Sequence, residues 1–175
     1  MGSGRPRHFF LFPLLLVLTL VLTASGSLAR PAAPVAELSW KTYVNSRYGY
    51  SLCYPEGVFV PQGESANSDG QSFLAKDGAR LIVYGTHNVL SRTLEDQKGE
   101  AESRLVEDSG KITYRVLRKS WFAISGESKD HIFYVRTHKV QDDYISFELF
   151  YNASLAALYD KIVDRMSSCF VSLPR

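Results

Sequence analysis

Between Trp40 and Pro55 the chain reads WKTYVNSRYGYSLCYP, with aromatic and polar residues alternating on both sides of Asn45-Ser46-Arg47. Such alternation is typical of strands with one buried face, and the central three residues have the composition of a tight turn. We therefore predict a β-hairpin here, with its second strand ending at Pro55.

Downstream of this hairpin, short apolar or alternating runs bounded by turn residues predict six further strands. They cover residues 71–75, 79–86, 111–118, 120–126, 131–140 and 144–151. Residues 62–70 collect Gly, Ser, Asn and Asp, and we expect an exposed loop there. A hairpin turn is predicted at Lys76-Asp77-Gly78, and a short strand from Cys169 to Leu173 is expected to close the domain.

Two helices are predicted from helical spacing of apolar residues and from their first residues. The first covers residues 93–108, where Thr93 followed by Asp96 is a signature of a helix N-terminus. The second follows a predicted N-cap at Ser154. Its apolar face is formed by Leu155, Leu158, Tyr159, Ile162, Val163 and Met166.

The hairpin of strands 131–140 and 144–151 allows a prediction of register. A three-residue turn at 141–143 would place Arg136 opposite Glu148, as an ion pair on the outer face. A two-residue turn would instead place Arg136 among apolar residues, where burial of its charge is costly. We therefore predict the three-residue turn.

This register also predicts a candidate interface on the outer face of the hairpin. Aromatic and charged side chains would gather there, a mixture that protein and ligand interfaces use. The predicted members are Tyr134, Arg136, His138, Tyr144, Glu148 and Phe150. The alternative is that a helix or a terminal segment covers this face.

The first hairpin and the last helix together resemble one family. The run Asn45-Ser46-Arg47-Tyr48-Gly49-Tyr50-Ser51 leading into Tyr54-Pro55 resembles the opening hairpin of the PsbP-like fold family. Residues 159–170 are similar to its last helix, which runs into a Ser-x-Phe strand. The resemblance implies an α+β sandwich, an antiparallel sheet flanked by helices. Members include extrinsic photosystem proteins, a Ran-binding import factor and secreted bacterial proteins without known activity, and this chain looks like the last group.

The chain has only two cysteines, Cys53 and Cys169. The PsbP-like arrangement implies that the two ends of the domain lie close together, and an isolated cysteine pair in an exported protein is usually a disulfide. We therefore predict a Cys53–Cys169 bond; the alternative is a pair of small buried side chains.

Export itself is predicted from residues 1–29, which have the composition of a cleaved signal peptide. Two arginines precede an apolar run over 11–24, and Ser27-Leu28-Ala29 supplies the small residues of a cleavage site. An uncleaved anchor is disfavoured, because a spanning helix needs about 20 apolar residues. We expect cleavage after Ala29, a flexible Pro/Ala spacer at 30–37 and a single domain at 38–175.

Loss of the signal would leave eighteen basic and eighteen acidic residues. A neutral domain gives no support for nucleic-acid binding, and neither Gly-x-Ser-x-Gly nor Ser-x-x-Lys follows residue 29. His131 and His138, seven apart on one strand, would point to opposite faces and cannot share a metal. We expect no catalytic residue, no metal ligand and no cofactor.

These observations predict a function only at a general level. We expect a periplasmic or extracellular monomer, without a membrane span after cleavage, that acts as a non-enzymatic binding or accessory domain. Its partner would be a protein or a small ligand. Two alternatives stay open: a hydrolase whose catalytic residues are dispersed along the chain, and a structural subunit of an envelope assembly.

Overall fold

The computed structural model describes residues 38–106 and 110–174. These residues form ten strands, two α-helices and a short 3₁₀ helix at Ala153–Leu155. The strands are β1 (Trp40–Asn45), β2 (Tyr50–Pro55), β3 (Phe59–Glu64), β4 (Gly70–Ala75), β5 (Arg80–His87), β6 (Lys111–Leu117), β7 (Trp121–Ser128), β8 (His131–Val140), β9 (Asp143–Asn152) and β10 (Val171–Ser172). The helices are α1 (Leu94–Val106) and α2 (Ala156–Cys169).

The strands are arranged in two antiparallel sheets. The larger has the order β3-β4-β5-β9-β8-β7-β6, and the smaller has the order β1-β2-β10. Helix α1 packs on β6 and β7, while α2 packs on β8 and β9 and against β2 of the smaller sheet. The predicted α+β architecture, an antiparallel sheet flanked by helices, is confirmed.

Two hydrophobic cores lie on opposite faces of the larger sheet. The main core is enclosed between this sheet and a layer formed by α2 and the smaller sheet, and it includes the fully buried Tyr50, Phe147 and Tyr159. The second core lies under α1 and includes Leu105, Phe122, Phe133 and Val135. Because β9 is covered on both faces, its residues from Asp143 to Leu149 are all buried.

The opening hairpin forms as predicted, with Asn45 opposite Tyr50. The Asn45 side-chain oxygen accepts a hydrogen bond of 2.9 Å from the Tyr48 backbone N–H and so closes the turn. The buried Tyr48 ring then packs against Gly85 of β5, where an added Cβ would lie 2.1 Å from the ring. The hairpin is thereby attached to the larger sheet.

The N-terminus of α1 also forms as predicted. Asp96 accepts hydrogen bonds from the Thr93 backbone N–H at 2.8 Å and from its hydroxyl at 2.7 Å, while the Asp96 N–H donates to the Thr93 hydroxyl at 3.1 Å. These bonds stabilise the carboxylate and lower the pKa of Asp96. The helix is described to Val106, and the rest of its predicted span, residues 107 and 108, lies outside the described residues.

Three local predictions are wrong. The expected loop at 62–70 is shorter, because residues 62–64 belong to β3, an edge strand with Pro61, Gly63 and a bulge that is buried only at Phe59 and so shows no alternation. Ser154 does not cap α2; it lies in the 3₁₀ helix, whose N-cap Asn152 accepts from the Ser154 N–H. Cys169 ends α2 rather than beginning a strand, because helical packing on β2 continues to that residue.

The predicted signal peptide at 1–29 and spacer at 30–37 lie outside the described residues. Within the part of the chain that the structure describes, neither helix has the length and apolar character needed to cross a membrane.

Candidate functional site

The disulfide is the first predicted feature that the structure places. Cys53 of β2 and Cys169 at the end of α2 are bonded, with their Cα atoms 5.8 Å apart, a separation that suits a disulfide. The prediction is confirmed, and the bond fastens the last helix to the opening hairpin across 116 residues.

The predicted register of the β8–β9 hairpin is wrong. Gln141 and Asp142 form a two-residue turn, with Gln141 at a positive φ of 54°, and Val140 faces Asp143. Arg136 is therefore opposite Phe147, and Glu148 is opposite Val135. The arginine charge is not buried in the observed register, because Arg136 stays partly exposed.

The six residues of the candidate interface consequently do not share a face. Tyr134, Arg136 and His138 lie on the α2 face of the sheet, whereas Tyr144, Glu148 and Phe150 lie on the α1 face. Glu148 and Tyr144 are buried there. Only half of the predicted set can therefore act together at one surface.

Arg136 and His138 belong to a partly exposed aromatic and cationic area that we call the Trp121 surface. It consists of Tyr114, Trp121, Arg136 and His138, all on the α2 face of β6, β7 and β8. The Arg136 guanidinium lies 4.0 Å from the centre of the Trp121 ring, and its Nε donates a hydrogen bond of 2.9 Å to His138 Nε2. Tyr114, on the edge strand, is 51% exposed.

Three further cations lie near this end of the sheet: Arg118 and Lys119 between β6 and β7, and Lys139, which lies opposite Tyr144 and is therefore on the α1 face. The Arg118 N–H donates to the Trp121 carbonyl and the Lys139 N–H to the Ser120 carbonyl, both at 2.8 Å. The side chains of all three are exposed. None of the three, nor Arg136, has an ion pair with a carboxylate among residues 38–106 and 110–174.

Trp121 was not among the predicted interface residues. Its surface position could have been predicted from the preceding Arg118-Lys119-Ser120, since an aromatic residue next to two cations at a turn favours a surface role. The contribution of Arg136 depends on the partner strand β7, whose register with β8 the sequence does not predict.

His138 is held in the neutral state by its surroundings. Burial against Phe170, whose ring centre lies 5.0 Å away, and the nearby Arg136 charge lower the pKa of His138 to about 4. A neutral imidazole can accept the hydrogen bond from Arg136, and a protonated one cannot.

This shifted pKa predicts a pH-dependent stability. Between about pH 6.5, the pKa of an unfolded histidine, and about 4, the unfolded chain binds a proton that folded His138 does not. Stability is therefore lost as the pH falls through this window. His138→Gln has no titrating group at this position and lacks this loss. We therefore expect the wild type to lose more unfolding free energy than the variant when the pH is lowered from 7 to 4.5. Urea unfolding at both pH values measures it, and parallel profiles would contradict the assignment.

On the other face, Glu148 forms a polar cluster beneath α1. Its carboxylate accepts hydrogen bonds from Arg104 Nη2 at 2.6 Å, from Arg104 Nη1 at 3.2 Å and from the Tyr84 hydroxyl at 2.8 Å. The cluster borders a cavity of about 120 Å³ that is also lined by Thr137 and Ser146. Since both carboxylate oxygens are already bonded, Glu148 serves to hold α1 on the sheet.

The histidines lie apart from one another in the described regions of the chain. His131 and His138 are at opposite ends of β8 and on opposite faces, and His87 bonds Asp143 at 2.6 Å. No group of three or more His, Cys, Asp or Glu side chains suited to a metal ion occurs among these residues.

No protein-family model and no curated protein matches this sequence. A solved structure does resemble the fold: the solution structure of cyanobacterial PsbP (CyanoP) from Synechocystis sp. PCC 6803 superposes with a TM-score of 0.61. The match covers 82% of this chain and 98% of that chain, at 14% sequence identity. The PsbP-like fold implied by the sequence motifs is thus confirmed, and at this identity the likeness concerns the fold alone.

Proposed function

We propose that this PsbP-like chain is an exported, non-enzymatic binding domain that recognises an acidic protein partner through the Trp121 surface. The supporting observation is the stack of Arg136 on Trp121, at 4.0 Å, in a part of the sheet where both side chains are partly exposed. Arginine and tryptophan are the residue types most enriched among those that dominate protein interfaces.

Charge supports an acidic partner. Arg118, Lys119 and Arg136 lie near Trp121, and none has an ion pair with an acid of the described ranges. An excess of one sign around an aromatic centre steers a partner of the opposite sign and excludes partners of the same sign. A protein surface rich in Asp and Glu meets both requirements.

Export is supported by two independent features. Residues 1–29 have the pattern of a signal peptide, and Cys53 and Cys169 are bonded to each other. Disulfides persist in oxidising compartments and are rare in the cytosol of most organisms.

Site-specific photocrosslinking in the producing cell tests the proposed partner. We expect a photoreactive residue at Tyr114, on edge strand β6, to give one discrete adduct, because that side chain is 51% exposed on the same face of the sheet as Trp121. Arg136→Glu should weaken the complex about tenfold or more, since it replaces a cation at the centre of the surface. The yield of the adduct measures the effect.

The controls are matched in structure. Val60, on the opposite edge strand β3, is similarly exposed at 55% and should give no such adduct. Arg47 lies over the Tyr48 ring at 5.4 Å, so Arg47→Glu reverses the charge of another arginine–aromatic pair and should leave the adduct unchanged. An adduct that survives Arg136→Glu, or none from position 114, would overturn the proposal.

A further inference from the structure

A second concave site lies on the other face of the larger sheet, at the C-terminal end of α1. It is a groove of about 590 Å³ whose floor is formed by Phe133, Phe150 and Leu105. Its rim is formed by Arg80, Arg104 and the β7–β8 turn, where Lys129, Asp130 and His131 lie. The volume is within the range of small-ligand sites, and the groove is far along the β7–β8 hairpin from Trp121.

The charges at the rim are unequal. Arg80 and Lys129 have no ion pair with a carboxylate in the described parts of the chain. Arg104 bonds the buried Glu148 but is itself half exposed, and Asp130 bonds His131 at 2.8 Å. Asp130 is the one carboxylate among the described lining residues; residues 107–109, which include Glu107 and Asp108, lie outside the described residues.

The floor supplies an apolar contact next to these cations. Phe150 is partly exposed, and the Arg80 guanidinium lies 5.1 Å from the centre of its ring. Phe133 and Leu105, which also line the groove, are buried. A ligand with an apolar body could cover the Phe150 ring while its charged group contacts Arg80 and Lys129.

The backbone of the β7–β8 turn also bears on this site. Lys129 has a positive φ of 56°, a conformation that two-residue hairpin turns normally assign to Gly, Asn or Asp. A lysine there costs conformational energy relative to asparagine, yet it places a cation at the rim of the groove. The turn therefore carries a cation at a position where asparagine would be less strained.

We infer that this groove binds an amphiphilic organic anion, a molecule with one carboxylate or phosphate head group and an apolar chain. The head group would lie between Arg80 and Lys129, with Arg104 nearby, and the chain would lie over Phe150 and the buried Phe133. The inference does not depend on the proposed protein partner, because no residue is shared between the groove and the Trp121 surface.

Calorimetric titration of the purified protein with four single-chain probes, each below its micelle concentration, tests this inference. The probes are octanoate, octyl phosphate, octyl glucoside and octyltrimethylammonium, and inorganic phosphate is titrated alongside. We expect octanoate or octyl phosphate to bind at least about tenfold more tightly than the neutral and cationic probes. The two anions distinguish a carboxylate from a phosphate ligand.

Variants then locate the binding. Lys129→Asn removes the cation and suits the positive φ, so it should retain or raise stability while weakening the anionic probe about tenfold. Arg80→Gln should weaken it similarly. The matched control, Arg118→Gln with Lys119→Gln, removes two cations at the Trp121 surface and should leave the affinity unchanged.

Three results would overturn the inference. They are equal binding of anionic and neutral probes, binding of inorganic phosphate as tight as that of octyl phosphate, and anion binding that Lys129→Asn does not weaken. Absence of binding by both anionic probes would also overturn it. None of these results would affect the crosslinking test of the Trp121 surface.

Discussion

The double variant Cys53→Ala/Cys169→Ala is expected to lose about 4 to 5 kcal/mol of unfolding free energy, because the unfolded chain regains the entropy of a long loop. The two cysteines are 116 residues apart, and the stabilisation grows with loop length. Urea unfolding of the oxidised wild type and the variant measures this loss. The bond also holds α2 on β2, so the C-terminal helix should be the first element to lose amide protection.

Reduction provides the control. Dithiothreitol should bring the wild type close to the stability of the double variant and should leave the variant itself unchanged. A loss below about 1 kcal/mol would mean that the ends of the domain stay together in the unfolded ensemble without the bond.

The second large effect is expected at the Arg104–Glu148 pair. Arg104→Met should cost about 3 kcal/mol, because it leaves a buried carboxylate without its cation. The Glu148 side chain is 4% exposed, whereas that of Arg104 is 50% exposed, so removing the arginine is the informative change. Thermal or urea unfolding gives the magnitude.

Two comparisons separate charge from packing. Adding Glu148→Gln to Arg104→Met should recover part of the loss, since a neutral amide still accepts from the Tyr84 hydroxyl and needs no cation. Arg115→Met breaks an exposed pair, Arg115 to Glu102 at 3.0 Å, and should cost under about 1 kcal/mol. Equal losses for Arg104→Met and Arg115→Met would show that Glu148 is hydrated in the folded state.

Much of the fold could be predicted because it depends on local pattern. Alternation around Asn45-Ser46-Arg47 gave the first hairpin, Thr93 with Asp96 gave the start of α1, and the apolar face from Leu155 to Met166 gave α2. Each of these signals lies within one or two turns of helix or a few strand residues, where propensity and spacing are decisive. Strand β3 was missed because an edge strand needs no buried alternate face.

The candidate site was less predictable, and the β8–β9 hairpin shows why. The turn at Gln141-Asp142 is one residue shorter than predicted, and such a slip moves every side chain to the other face. When only the two strands are considered, the predicted pair of Arg136 with Glu148 avoids the burial of a charge. It is not the arrangement adopted once α1 supplies Arg104 to Glu148 and β7 supplies Trp121 to Arg136.

The sequence by itself therefore determined the order of the two helices and of every described strand except β3, the PsbP-like resemblance and the pairing of its two cysteines. The tertiary structure alone decided which charge is buried, which is exposed and which aromatic ring accompanies it. The physical reason is that a charged side chain has no fixed cost of burial. Its cost depends on the hydrogen bonds and opposite charges around it, and for Glu148 these come from Tyr84 and Arg104, on elements distant along the chain.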